Sequence, residues 1–183
     1  IPFASEECVE FSDSSMEIIS YYTILASTEL ARERGAYQSF KGSKWDRGIF
    51  PIDTITLLEA ERGMPTGTNL KERLDWSVVR EAVMQYGMRN SNTMAIAPTA
   101  TIANITGSIP GNEPIYKNIY VKSNISGDFI IVNSFLVDDL KKIGLWDEQM
   151  LAAIKYNDGS VADIPNVPVE IKQKYKETFE IDM

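Results

Sequence analysis

At 183 residues the chain is long enough for one domain with a real core, and 44% hydrophobic and 24% charged residues are ordinary for a globular protein. A net charge of −8 argues against a broad basic surface for DNA or RNA and against an anionic membrane. The chain has no histidine, so it cannot by itself build a Ser-His-Asp or Cys-His nucleophile site or an imidazole zinc site.

The single cysteine, Cys8, excludes an internal disulfide and fits a reducing compartment. No apolar run approaches the ~20 residues of a membrane helix, and Ile1 opens no basic-then-apolar leader. The expected location is cytoplasmic.

Residues from about Ser5 to Arg34 read as one long helix. Cys8, Phe11, Ser15, Ile18/Ile19, Tyr22, Leu25/Ala26 and Leu30 fall at helical spacing, and Gly35 ends it. Ala36 to Pro51 is an irregular connection that includes a surface turn at Lys41-Gly42-Ser43-Lys44. Thr54 to Arg62 is a short helix closed by Gly63, and Met64 to Leu70 is a loop. Asp75 caps a helix that runs to Tyr86 and stops at Gly87. Thr93 to Ala97 reads as a short buried strand ended by Pro98.

Thr99 and Thr101 are good N-cap residues for a helix starting at Ile102. Ile119–Lys122 and Phe129–Val132 are short β-like pieces, although Asn133 and Ser134 also suit a helix start. Phe135–Ile143, Asp147–Tyr156 and Val169–Phe179 read as helices. Trp45, Trp76 and Trp146 are expected as buried anchors, and Tyr21-Tyr22 as core and packing residues.

The turn Pro98-Thr99-Ala100-Thr101-Ile102-Ala103 carries the most chemistry. A strand running into a helix start exposes several free backbone N–H groups, where partial positive charge suits an anion such as phosphate. Thr hydroxyls add donors, and small Ala100 and Ala103 let the backbone approach a ligand. On the local pattern alone, such a Thr-rich turn is more often just a capped helix.

Pro98-Thr99-Ala100-Thr101, followed by Gly111-Asn112-Glu113-Pro114, resembles the substrate diphosphate loop of the ribonucleotide reductase large (alpha, catalytic) subunit, most like class I. The likeness continues through Pro2-Phe3-Ala4-Ser5-Glu6-Glu7, Gly35-Ala36-Tyr37, Arg47-Gly48-Ile49 and Tyr86-Gly87-Met88-Arg89-Asn90-Ser91. Asn118-Ile119-Tyr120, Ser126-Gly127-Asp128-Phe129, Val132-Asn133, Gly144-Leu145-Trp146, Asn157-Asp158-Gly159-Ser160 and Tyr175-Lys176 follow in family order.

The resemblance implies an α/β fold. Residues 1–183 would form a single helix-rich segment from the later part of a ten-stranded α/β barrel, not a complete fold alone. It implies substrate diphosphate contacts at Thr99, Ala100, Thr101, Ile102 and Ala103, mainly through backbone N–H groups. Ala100 and Ile102 stand where many relatives have polar residues.

It implies no catalytic residue and no metal in this chain. Cys8 sits in Glu6-Glu7-Cys8-Val9-Glu10, unlike the family's radical cysteine, so the thiyl-radical chemistry would lie in the remaining part of the catalytic subunit. The full enzyme would need a radical generator, either a metal-containing small subunit or cobalamin, together with nucleotide effectors. Its partners would be a ribonucleoside diphosphate substrate and a dimeric alpha assembly, with no DNA, RNA or membrane. The alternative is a self-contained phosphate- or nucleotide-binding module, which would bury both the long helix's apolar face and Thr93–Ala97.

Overall fold

A computed structural model describes residues 1–99, 101–109, 111 and 113–182, apart from the side chains of Asn104 and Asn124. The chain divides into two compact units, one of residues 11–97 and one of residues 1–10 with 98–183.

The 11–97 unit takes most of helix α1 (Glu6–Arg34), then α2 (Asp53–Arg62) and α3 (Trp76–Tyr86). Its core is Ile24, Phe50, Val79, Val83 and Met88, with Trp45 and Trp76 half-buried against it. Tyr21 stacks edge-on against Trp76 at 5.4 Å between centroids, whereas Tyr22 stands in solvent. Asp75 caps α3 by accepting from the Ser77 N–H, and Gly63 closes α2 in a left-handed conformation. Gly87 ends α3 at φ +75°, where a Cβ would lie 2.9 Å from that of Ala36, so this stop also needs the missing side chain.

The face that α1 buries differs from the expected stripe. Ile24, Ser27, Thr28 and Ala31 turn inward. Phe11, Ile18, Ile19 and Tyr22 remain 59%, 50%, 47% and 59% exposed. Small and hydroxyl side chains leave room on this face for the Arg89–Asn90 loop, and the Ser27 hydroxyl and carbonyl accept from the Asn90 and Arg89 N–H groups.

Thr93–Ala97 is not a strand. The segment is irregular and without sheet pairing, and Ile96 is 79% exposed. An apolar run becomes a strand only beside another strand, and the described residues supply none for it.

The second unit contains α4 (Ile102–Thr106), β1 (Ile119–Asn124), β2 (Gly127–Val132), α5 (Ser134–Lys142), α6 (Glu148–Tyr156) and α7 (Val169–Lys174), then a 3₁₀ turn (Thr178–Glu180). β1 and β2 form an antiparallel hairpin pairing Ile119 with Val132 and Val121 with Ile130. Alternation puts Tyr120, Phe129 and Ile131 on one face and Val121 and Ile130 on the other; all five are exposed.

Asn133 and Asp147 cap α5 and α6 by accepting from the Phe135 and Met150 N–H groups. The core packs Leu136, Leu140, Ile154 and Val161 with Val167 and Tyr175, and Trp146 lies half-buried against it. Truncating fully buried Leu136 or Ile154 to Ala would cost about 2–5 kcal/mol.

The last expected helix is shorter than its sequence pattern. It stops at Lys174, and a separate 3₁₀ turn follows. The Tyr175 carbonyl and the Glu177 side chain instead bind Asn118.

Candidate functional site

The turn before α4 closes on itself. The Ala103 N–H donates to the Thr99 carbonyl at 2.9 Å, and Ser108 N–H donates back to the Ala103 carbonyl at 3.0 Å. Thr101 occupies the N-cap position, but its side chain makes no capping bond. Thr99 is half-buried, Thr101 is exposed, Ile102 is 60% exposed and Ala103 only 2%. Ala100 lies outside the described residues, as do Pro110 and Asn112.

N–H groups in a helix's first turn have no intrahelical acceptor. Here the Ala103 N–H already has the Thr99 carbonyl. With five residues, α4 has a small dipole, so any anion would be held by individual N–H groups and hydroxyls.

Downstream of this turn, four of the short motifs that carry the family resemblance meet at one buried residue. The Asn118 Nδ2 group donates to the Tyr175 carbonyl at 2.9 Å and to the Gly159 carbonyl at 3.3 Å. Its Oδ1 accepts from Asn133 Nδ2 at 3.0 Å, its carbonyl accepts from Asn133 N–H at 2.8 Å, and its own N–H donates to Glu177 Oε1 at 2.6 Å. Nothing in the chain's periodicity links these positions; the separate motifs were the only sequence signal.

Burial pushes the Glu177 carboxyl above the usual carboxylate range, while the Asn118 N–H opposes the shift. Glu180 accepts from the Glu177 N–H at 2.7 Å, and Lys117 pairs with Asp158 alongside. A short step upstream, the Thr178 N–H donates to the Ile115 carbonyl at 3.0 Å.

A cavity of about 380 Å³ opens in the same unit, lined by Ile109, Glu113, Asn133, Asp139, Lys174 and Tyr175 among others. Asp139 accepts from Lys142 at 2.7 Å, Lys174 at 2.6 Å and Tyr175 Oη at 2.7 Å. These three donors hold its carboxyl well below the ordinary range. Cys8 lines this cavity as a free, half-buried thiol. Thr99, Thr101, Ile102 and Ala103 do not line it.

In the 11–97 unit the most strongly tied carboxylate is Glu17. It accepts from Arg73 N–H at 2.7 Å, Arg73 Nη1 at 3.0 Å, Leu74 N–H at 3.1 Å and Trp76 Nε1 at 3.1 Å. Burial raises its pKa, but these donors outweigh burial and bring it to about 2. The arrangement fastens residues 73–76 to α1, which is a structural task.

Among the described residues no group of three or more Cys, Asp or Glu side chains could hold a metal ion. Likewise, no described helix is long and apolar enough to cross a membrane.

Comparison with known proteins places the whole chain in one family. The family model "Ribonucleotide reductase, barrel domain" matches residues 1–183. The chain is 52% identical over 183 residues to the ribonucleoside-diphosphate reductase subunit alpha of Chlamydia pneumoniae, covering 100% of this chain and 18% of that protein. It is 36% identical over 181 residues to the ribonucleoside-diphosphate reductase large chain 2 of Saccharomyces cerevisiae, covering 99% of this chain and 20% of the relative.

Among solved structures, the class Id ribonucleotide reductase alpha subunit of Actinobacillus ureae aligns with a TM-score of 0.61 and 25% identity, over 97% of this chain and 24% of that one. The chain thus spans about a fifth of the length of the curated relatives it matches. A helix-rich chain whose motifs run in family order, matched from end to end by the family model, belongs to the ribonucleotide reductase barrel-domain family.

Proposed function

We propose that this chain acts as one portion of the catalytic subunit of a ribonucleoside-diphosphate reductase, where it holds the diphosphate end of the substrate. Residues 1–183 form one segment of the later barrel, with the phosphate loop at 98–103. Thr99, Ala100, Thr101 and Ile102 take the diphosphate through backbone N–H groups and the two hydroxyls. Ala103, buried and bonded to Thr99, braces the turn from inside. A fixed phosphate orients the ribose, so binding energy is converted into positioning.

The observation that carries this reading is the exposed helix-start turn at Thr101-Ile102, within a chain that the barrel-domain model matches throughout. The thiyl-radical and redox cysteines, a dimeric alpha assembly and nucleotide effectors belong to the rest of the enzyme. So does the radical generator, a metal-containing small subunit or cobalamin. The working compartment is the cytoplasm.

The exposed stripe of α1 and exposed Ile96 favour this reading over a self-contained binding module, which would bury both.

The test is made in the complete reductase. Thr99→Glu and Thr101→Glu place a carboxylate against the diphosphate and should raise KM for a ribonucleoside diphosphate at least tenfold, since like-charge juxtaposition costs several kcal/mol. Unchanged KM in both variants would remove the phosphate assignment.

A further inference from the structure

We propose that Asn118 and Asn133 are positioning residues for the phosphate turn, so that substrate affinity depends on a buried polar junction with no substrate contact of its own. The inference rests on the diphosphate reading of residues 98–103.

Short-range bonds hold that turn together. The bonds of Thr99, Ala103, Thr106 and Ser108 close within the turn: Ala103 to Thr99, Ser108 to Ala103, and the Thr106 hydroxyl to the Ser108 hydroxyl at 2.8 Å. They fix its internal shape and leave its placement to the packing of buried Ala103 and to the chain on either side. Downstream, among the described residues, the first hydrogen bonds to a distant part of the sequence are at Pro114 and Ile115, whose carbonyls accept from Thr178. The next are at Asn118.

Asn118 is the stronger anchor. It is fully buried, and its amide and backbone are bonded to three separate stretches: Asn133 at the hairpin's exit, Gly159 after α6, and Tyr175 with Glu177. No buried side-chain polar atom among the described residues lacks a partner, so the junction is fully satisfied as it stands. Gly159 tightens it further. At φ +106° its absent Cβ would collide with Glu177 Oε1 and lie 3.3 Å from the Asn118 and Ile119 nitrogens.

Asn133 also lines the cavity that Ile109, Glu113 and Pro114 line, so the junction and the stretch leaving the turn share a cavity wall. Loosening Asn118 leaves the segment into which the turn runs held on that side by the Thr178 bonds to Pro114 and Ile115 alone. The turn then samples other placements, and apparent affinity falls by the fraction of time it is misplaced. Saturating substrate selects the competent placement, so kcat is preserved.

The test uses the complete reductase and a ribonucleoside diphosphate as the varied substrate. Asn133→Ser keeps a good helix cap but removes the donor to Asn118 Oδ1. Asn118→Asp is the second variant; it keeps the Oδ1 acceptor and loses the donors to Gly159 and Tyr175. The expected result is KM raised about threefold to tenfold, the scale of one lost hydrogen bond, with kcat within about twofold. A junction that only stabilised the fold would reduce the active fraction, hence apparent kcat, and leave KM alone. Unchanged KM in either variant that folds overturns the proposal. Thr101→Glu, measured in parallel, separates the two ideas: if it also leaves KM unchanged, the diphosphate reading itself has failed.

Discussion

Replacing Glu17 by Gln tests whether one carboxylate fastens residues 73–76 to α1. Its pKa falls from 4.5 to about 2, roughly 2.5 units at 1.36 kcal/mol each, or about 3 kcal/mol favouring the ionised form in the folded state. The side chain is 9% exposed, and residual solvent screening trims this to about 2 kcal/mol. A glutamine keeps one carbonyl oxygen for the Arg73 N–H, but its NH₂ group faces the Arg73 guanidinium. The readout is hydrogen exchange of the peptide spanning residues 71–76 in the complete protein, because the Arg73 and Leu74 amides are the donors. Protection should fall about thirtyfold in Glu17→Gln at pH 7, the equivalent of 2 kcal/mol. The pH dependence has a definite sign. A depressed carboxyl contributes its full stability above its unfolded pKa, so wild-type protection, corrected for intrinsic exchange, should decline as pH falls from about 4.5 towards 2. The variant should show no such decline. Equal protection in the two proteins at pH 7, or a flat wild-type profile across that window, would refute the reasoning.

Two further outcomes follow from the packing. Gly159→Ala should cost about 2–4 kcal/mol, through a strained φ and a clash with Glu177, and should lower the melting temperature and the protection of residues 175–178; wild-type stability would show that the junction yields without penalty. Ile18→Asp, on the exposed stripe of α1, should sharply reduce the soluble yield of the complete alpha polypeptide if other segments cover that stripe, whereas Tyr156→Asp, at 91% exposure, should not. Equal yields would mean the stripe faces solvent in the whole enzyme.

Local signals were legible where the cause was local. Asp75, Asn133 and Asp147 cap the helices that their positions suggested, and Gly63 and Gly87 end theirs. The hairpin ambiguity at Phe129–Val132 resolves as a strand because Ile119–Lys122 pairs with it, and Asn133 then caps the next helix.

Tertiary causes were hidden. The periodic stripe on α1 marked an apolar face, yet the face buried within the unit carries Ser27, Thr28 and Ala31, and the Arg89–Asn90 loop bonds directly to the Ser27 carbonyl and hydroxyl there. Tyr22 shares that exposed stripe and so is not a core residue. The Val169–Phe179 pattern was helical in composition, but Asn118 recruits the Tyr175 carbonyl. At the candidate site, the turn was legible from its residue types. The Asn118 junction was not, because its partners lie 15, 41, 57 and 59 residues away.

Those separations also set a schedule for synthesis. At about 5–20 residues per second, roughly 3–12 seconds pass between Asn118 and Glu177 leaving the ribosome's catalytic centre. The β1–β2 hairpin needs only about 1–10 μs to pair once its residues are free. For most of that interval the nascent hairpin has an unfastened base, two open edges and apolar residues on both faces. Such a segment is a template for intermolecular strand pairing. Slow or stalled translation between Val132 and Glu177 therefore prolongs the period in which this hairpin needs a chaperone.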